Sequence, residues 1–177
     1  MFIPFNKLED VYTIHSRLMS DKKYLKAGDA YLNAPPEAIP YERIKSSLLV
    51  NFVTMPKYRI PDTKAPKSER VYELRSYESY SEMKGLAKIH MFNEGGETAI
   101  FDKLGFNAVF YSQAIIGDER PNLVYMTTFD NMEDRDEHWK SFSSDPDWDK
   151  LKKVSKYTKT VSKNNRTMLR PVDFSQI

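Results

Sequence analysis

An α+β fold with an antiparallel sheet and helices on one face is predicted by three observations. Segments of alternating apolar and polar residues occur at 71–77, 106–116 and 123–129, the period-2 pattern of half-buried strands. Stretches with helical spacing lie between and after them, at 81–104 and 131–144. Turn residues separate the two kinds of segment, with Gly117-Asp118-Glu119-Arg120-Pro121 between the second and third strands.

Each element has a local reason. In VYELRSY (71–77), β-branched and aromatic residues alternate with polar ones. From Ser81 to Leu104 the residues Met83, Leu86, Ala87, His90 and Met91 recur at helical spacing. Gly95-Gly96 interrupts the run, and Gly105 suits the end of a helix. FNAVFYSQAII (106–116) and LVYMTTF (123–129) read as strands two and three. Asp130 is a candidate cap for the next helix, with Glu133 three residues on. Met132, Arg135, Trp139 and Phe142 form that helix's expected buried stripe. Ser144-Asp145-Pro146 starts a further helix, with proline in its first turn and Trp148, Leu151, Val154 and Ser155 expected inward. Residues 167–172 form the last strand. The order, with one extra helix before the fourth strand, is the ferredoxin-like pattern.

The first 56 residues repeat part of this arrangement. FIPF (2–5) reads as a strand. Asn6 and Glu9 have capping-box spacing before a helix carrying Leu8, Val11, Tyr12, His15 and Leu18. A second helical piece follows Ser20-Asp21. Asn33-Ala-Pro-Pro36 breaks it, and SLLVNFVTM (47–55) is another strand candidate. Set against 125–150 at an offset of 124, Phe5 falls on Phe129, Asn6 on Asp130, Glu9 on Glu133, Asp10 on Asp134 and Leu18 on Phe142. Ser20-Asp21 falls on Ser144-Asp145, and Tyr24 on Trp148. The expected organisation is therefore a partial first repeat at 1–56 (β-α-α-β), a charged linker with two prolines at 57–70, and a complete domain at 71–177. A truncated or misplaced start would account for the absent half-repeat; a short form completed by another chain is the alternative.

Composition bounds the function. With 177 residues, 40% hydrophobic and 13% aromatic, the chain can build a packed core. Its 27 basic and 25 acidic residues give a net charge of +2, too balanced for a dedicated binder of nucleic acid or membrane surfaces. The absence of cysteine excludes disulfides, thiolate catalysis and cysteine zinc sites. No apolar run is long enough to span a bilayer, and the first residues lack a signal peptide's basic start. The compartment is left open: cytoplasmic by default, with an upstream signal as the alternative.

Candidate site residues follow from strand alternation. Tyr72, Leu74 and Ser76 share the face expected to meet the helices. Glu73, Arg75 and Tyr77 share the other, a carboxylate, a guanidinium and a phenol that a sealed apolar core accepts only if paired. On the second strand Phe106, Ala108 and Phe110 are expected against the helices. Asn107, Val109 and Tyr111 then fall on the face of Arg75 and Tyr77. On the last strand Arg166, Met168 and Arg170 share a face. A pocket of Glu73, Arg75, Tyr77, Asn107 and Tyr111 suits a small anionic or aromatic ligand; a structural Glu73–Arg75 pair is the alternative. His15, His90 and His138 have no metal-ligand spacing, so no metal site is expected. His90, on the inward stripe of its helix, is the candidate for acid–base work. Trp139, Phe142 and Trp148 have the spacing of ordinary core packing. Gly95-Gly96 lacks phosphate-loop context, and no cofactor is expected.

VYELRSYE (71–78), LGFNAVFYSQ (104–113) and HWKSFSSDPDW (138–148), with NLVYMTTFDNMEDRDEHW before it, resemble the NIPSNAP family. They look most like its two-repeat bacterial members. The resemblance covers 71–177 well and 1–55 as a partial copy. It implies a dimeric α/β-barrel fold, in which two four-stranded sheets pair, and hence a homo-oligomer joined through its sheet faces. It implies no particular reaction. The wider fold also includes cofactor-free monooxygenases and haem-handling enzymes. Two further readings therefore stand beside a NIPSNAP-like domain protein with a small-ligand cavity. One is a small cofactor-independent oxygenase or isomerase using Arg75, Tyr77, His90 and Tyr111. The other is a haem or tetrapyrrole binder with His90 as axial ligand.

Overall fold

The computed structural model describes all 177 residues and divides the chain into two compact units, Met1–Lys45 and Ser46–Ile177.

The first unit holds three helices, α1 (Leu8–Met19), α2 (Lys22–Ala27) and α3 (Asp29–Leu32), none with a buried residue. Residues 2–5 do not form the expected strand, because no neighbouring strand takes up their backbone groups. Lys7, not Asn6, precedes α1, and no side chain caps that end. The Asp21 carboxylate does cap α2, accepting from Lys23 N at 2.8 Å and Tyr24 N at 3.1 Å.

The second unit is a five-stranded antiparallel sheet with helices on one face. Its strands are β1 (Leu48–Asn51), β2 (Val71–Glu78), β3 (Asn107–Ile116), β4 (Asn122–Phe129) and β5 (Lys163–Leu169). The spatial order is β1-β3-β4-β2-β5. The last four reproduce the ferredoxin-like arrangement, and β1 extends the sheet beyond β3. The helices are α4 (Glu82–Phe92), α5 (Glu97–Lys103), α6 (Met132–Ser144) and α7 (Pro146–Leu151). Asn131, not Asp130, caps α6 by accepting from Asp134 N at 2.9 Å. Asp130 instead accepts from the backbone N–H groups of Lys64 and Ala65. Asp145 caps α7, accepting from Asp147 N and Trp148 N. At the offset of 124, the bounds of α2 fall on those of α7, and the cap Asp21 falls on the cap Asp145.

The core lies between sheet and helices and is dense in aromatic rings. Phe92 is fully buried. Its ring lies 5.3 Å from Tyr125 and 6.1–6.3 Å from Phe52, Phe101, Tyr111 and Tyr77. Phe101 continues the cluster to Phe106, Trp139 and Phe142. Several expected inward residues point out. Met83, Leu86, Met132 and Val154 are exposed, as is Ser155. The buried residues of α4 are instead Gly85, Lys88, Met91 and Phe92. A phase error of one residue separates the two stripes, because the expected stripe kept a lysine out of the core.

On β2, and on β3 beyond its irregularity, the sheet faces are exchanged relative to expectation, while Phe106 and Ala108 lie on the helix side as expected. Tyr77 and Tyr111 belong to the helix-side core, and Glu73 and Arg75 bond to side chains of α6 and of that same strand row. Tyr72, Val109, Phe110 and Met126 form a separate cluster on the far face, with Leu49, Leu74, Val124 and Ile177 packed against it. The physical reason is pairing. Side chains of α6 supply hydrogen-bond donors for Glu73, so the charged set can be buried. On β3 the register shifts between Ala108 and Phe110. That irregularity leaves Phe110 beside Val109 in the far cluster and returns Tyr111 to the helix side.

The break between α4 and α5 is built from two glycines with different duties. Gly96 holds φ at +92°, a left-handed conformation costly for other residues. A Cβ on Gly95 would stand 2.6 Å from the Met91 carbonyl oxygen and 2.8 Å from Met91 Cα. Gly95→Ala is therefore expected to lose about 1–3 kcal/mol, read as a lower urea midpoint with an unchanged slope.

Candidate functional site: a sealed ionic network and the opposite sheet face

Glu73 lies on β2 with no exposed surface, and five donors reach it. Arg75 Nε and Nη2 donate to Oε1 at 2.8 and 2.7 Å. Arg135 donates through Nη2 to Oε1 at 2.8 Å and through Nε to Oε2 at 2.9 Å. Trp139 Nε1 donates to Oε2 at 2.7 Å. Arg135 and Trp139 stand four residues apart on α6, so they share one helix face. The Arg75 guanidinium lies over the Trp139 ring, 3.5 Å from its centroid, a cation–π contact in a desolvated setting. Arg75 Nη1 also donates to the Tyr77 hydroxyl at 3.1 Å, and the Tyr77 and Tyr125 hydroxyls share a 2.7 Å hydrogen bond.

A second buried pair adjoins it. Lys88 Nζ of α4 reaches Glu97 Oε2 of α5 at 2.7 Å, and both residues are buried. The ammonium also lies 4.8 Å from the centroid of Phe92 and 5.4 Å from that of Tyr77. This pair bridges the break after α4.

Electrostatics separate the two carboxylates. Burial works to raise the Glu73 pKa, but the hydrogen bond from Arg135, the charge of Arg75 and the remaining donors outweigh it and hold it below the usual carboxylate value. Glu97 goes the other way: burial raises it, against the opposing charge and hydrogen bond of Lys88. Burial lifts Tyr125 and Tyr111 well above an ordinary phenol. Burial opposes the charge on Arg75, but neighbouring Tyr125, Tyr77 and Glu73 more than offset this and raise its pKa.

Of the residues singled out from sequence, Glu73, Arg75, Tyr77 and Tyr111 come together in the helix-side interior, the first three in one bonded chain. Tyr111 stands close to Tyr125 with no hydrogen-bond partner for its hydroxyl. Asn107 does not join them. It lies on the far face, where its Nδ2 donates to the Asp62 carbonyl at 2.7 Å and its Oδ1 accepts from Asp62 N. His90 is also apart: its Nδ1 is 2.9 Å from the Tyr157 hydroxyl, and it borders an open groove with Met83, Lys84, Leu86, Ala87 and Lys156. His15 is exposed on α1, and His138 is tied to Asp134. Lys88, Glu97 and Tyr125 were not anticipated. The available signal was the position of Lys88, three residues before Met91 and four before Phe92, on the buried side of α4.

The network uses up its own chemistry. All acceptor positions of Glu73 are engaged, and Arg75 is committed to Glu73, Tyr77 and Trp139. The Glu73 carboxylate neutralises the charge on Arg75 that an anionic ligand would need, and both residues are buried. The geometry defines a ferredoxin-like domain with a sealed ionic core.

Residues 72–176 match the family model described as NIPSNAP, more than half of the sequence, and the chain belongs to the NIPSNAP family. Solved structures agree on the fold. A NIPSNAP family protein from Agrobacterium tumefaciens str. C58 is similar over 62% of this chain and 99% of its own, with 22% identity and a TM-score of 0.52. A second protein of that family and organism, described as of unknown function, covers 63% of this chain and 96% of its own, with 21% identity and a TM-score of 0.54. A NIPSNAP-like domain protein from Burkholderia xenovorans, described as uncharacterized, covers 62% and 90%, with 21% identity and a TM-score of 0.52. None of the curated proteins compared with the chain matches it. No helix is long and apolar enough to cross a membrane.

Glu73→Gln is expected to cost about 3–5 kcal/mol near neutral pH, because it leaves the buried Arg75 guanidinium without its counter-charge, whereas the partly buried Arg135 keeps Asp136. The sign of the pH dependence follows from the depressed carboxyl. Its stabilisation is fully present above the ordinary value of 4.5 and is lost as pH falls through the lower folded value. Denaturant titrations of both proteins should therefore show their stability gap narrowing below pH 4.5. A pH-independent gap would contradict the assignment.

Proposed function

We propose that this NIPSNAP domain acts as a small-molecule holder: a second copy covers the far sheet face and encloses an apolar cavity there. The observation that carries this reading is the composition of that face. Beside Tyr72, Val109, Phe110 and Met126, which are buried within the single chain, Leu74 and Val124 stay partly exposed away from the helices, where a sheet with one face in water would carry polar side chains. β1 and β5 also end the sheet with unpaired outer edges, and exposed edges favour further pairing. A closed two-fold assembly satisfies both requirements.

The coincidence of α2 with α7, caps included, supports reading residues 1–56 as part of a first repeat. β1 is then that repeat's fourth strand, added to the sheet of the second. The cavity proposed here is not the pocket first expected from Glu73, Arg75, Tyr77, Asn107 and Tyr111: Glu73, Arg75 and Tyr77 are bonded to one another inside the core, Tyr111 is buried beside them, and Asn107 is tied to Asp62 on the other face. An oxygenase or isomerase reading built on Arg75, Tyr77, His90 and Tyr111 has no observation in its favour, since His90 lies apart from the other three.

Native mass spectrometry tests the proposal. The expected result is a two-chain mass carrying an additional small mass; a bare monomer would overturn it. Leu74→Glu places a charge on the face to be covered. It should abolish the two-chain species while leaving the far-ultraviolet circular dichroism unchanged.

A further inference from the structure

The far sheet face is partly occupied by the chain's own last residues. Ile177 packs on the cluster of Tyr72, Val109, Phe110 and Met126, each of which is no more than 4% exposed. The segment that carries it there is held from the 57–70 stretch. Lys67 Nζ donates to the carbonyl oxygens of Asp173 at 3.1 Å and Ser175 at 2.7 Å. Arg170 Nη1 donates to the Ser68 carbonyl at 2.8 Å. A turn closed by Ser175 N on the Val172 carbonyl brings the chain back, with Phe174 exposed in solvent. Beyond Arg170 the attachment is therefore two hydrogen bonds from Lys67 and the Ile177 side chain, few enough to be reversible.

A second, independent observation concerns hydroxyls. Tyr72 and Thr128 face each other across β2 and β4, so they share the far face, in one row with Asn107. Both are almost fully buried, and neither the Tyr72 hydroxyl nor Thr128 Oγ1 has a hydrogen-bond partner. Buried polar groups are rarely left so. An aliphatic plug such as Ile177 cannot satisfy them; a ligand with an oxygen atom can.

We propose that the far face at Tyr72, Phe110, Met126 and Thr128 binds an apolar molecule carrying one hydroxyl or carbonyl oxygen, and that residues 171–177 are a displaceable latch competing for that site. This rests on the small-molecule reading above and adds the ligand's chemistry and its control. The oxygen engages Tyr72 and Thr128, and the apolar body replaces Ile177 on Val109, Phe110 and Met126. Lys67 sets how often the latch opens. Apparent affinity is reduced by the fraction of molecules whose site is closed.

The test uses 2-naphthol as probe and the full chain, with binding read from the probe's fluorescence. Lys67→Met and, separately, Ile177→Ser should each tighten binding by about tenfold by opening the latch. In the Lys67→Met background, Tyr72→Phe should weaken it by about fivefold, the loss of one hydrogen bond. Circular dichroism checks that each variant is folded, and Ile177→Ser keeps the test open should Lys67→Met not fold. Affinity equal in the wild type and the folded latch variants, or indifferent to Tyr72→Phe, overturns the proposal. Native masses of the same samples separate the two readings. A dimer whose affinity ignores the latch variants refutes the latch alone. Latch-dependent binding by a monomer supports the latch and refutes the pairing.

Discussion

Glu73 is one carboxylate held by five donors from three side chains, and its surroundings are arranged around that constraint. A charge at zero exposure is tolerated only when every lone pair is engaged. Meeting that demand fixes much else. Arg75 must lie along β2, and Arg135 and Trp139 must present one face of α6 to the sheet. The Trp139 ring must lie under the Arg75 guanidinium. The position of α6 on the sheet is thus specified by directional bonds as well as by apolar contact. Apolar packing alone would tolerate sliding. The bidentate Arg135–Glu73 contact does not.

The same logic explains why the interior takes a second ion pair. Lys88 and Glu97 sit either side of the Gly95-Gly96 break, on two helices that also meet through Phe92 and Phe101. Their pair sets the second helix against the first. Replacing both with apolar groups of similar shape could leave stability intact, whereas removing one would leave a buried charge.

Much of the fold was legible in the sequence. β2, β3 and β4 lie within a residue or so of their expected positions, and so do α6, α7 and the break after α4. Period-2 alternation and cap residues are local signals, and these elements obey them. Alternation identifies which residues share a face but not which face meets the helices. That choice depended on where donors for Glu73 lie, on α6 about sixty residues away. Apolarity was therefore an unreliable guide for β2. The shift on β3 defeated the period as well, moving Tyr111 out of phase with Asn107. Residues 2–5 fit a strand equally well, but strand formation needs a neighbour, and alternation says nothing about that. Lys88 was invisible for the opposite reason: a rule that keeps lysine outside hides the lysine that is paired.

The chain contains only two tryptophans, and both lie in this region. Trp139 donates its indole N–H to Glu73 and has a guanidinium against its ring; Trp148 stacks near Phe142, with the Lys88 ammonium 5.7 Å from its ring. Each indole is therefore next to a buried cation. The indole emission is in effect a reporter on the buried charges of Glu73 with Arg75 and of Lys88 with Glu97, with no contribution from indoles elsewhere. Disturbance of either pair is legible in the colour and yield of that light, without a label and without removing a single side chain.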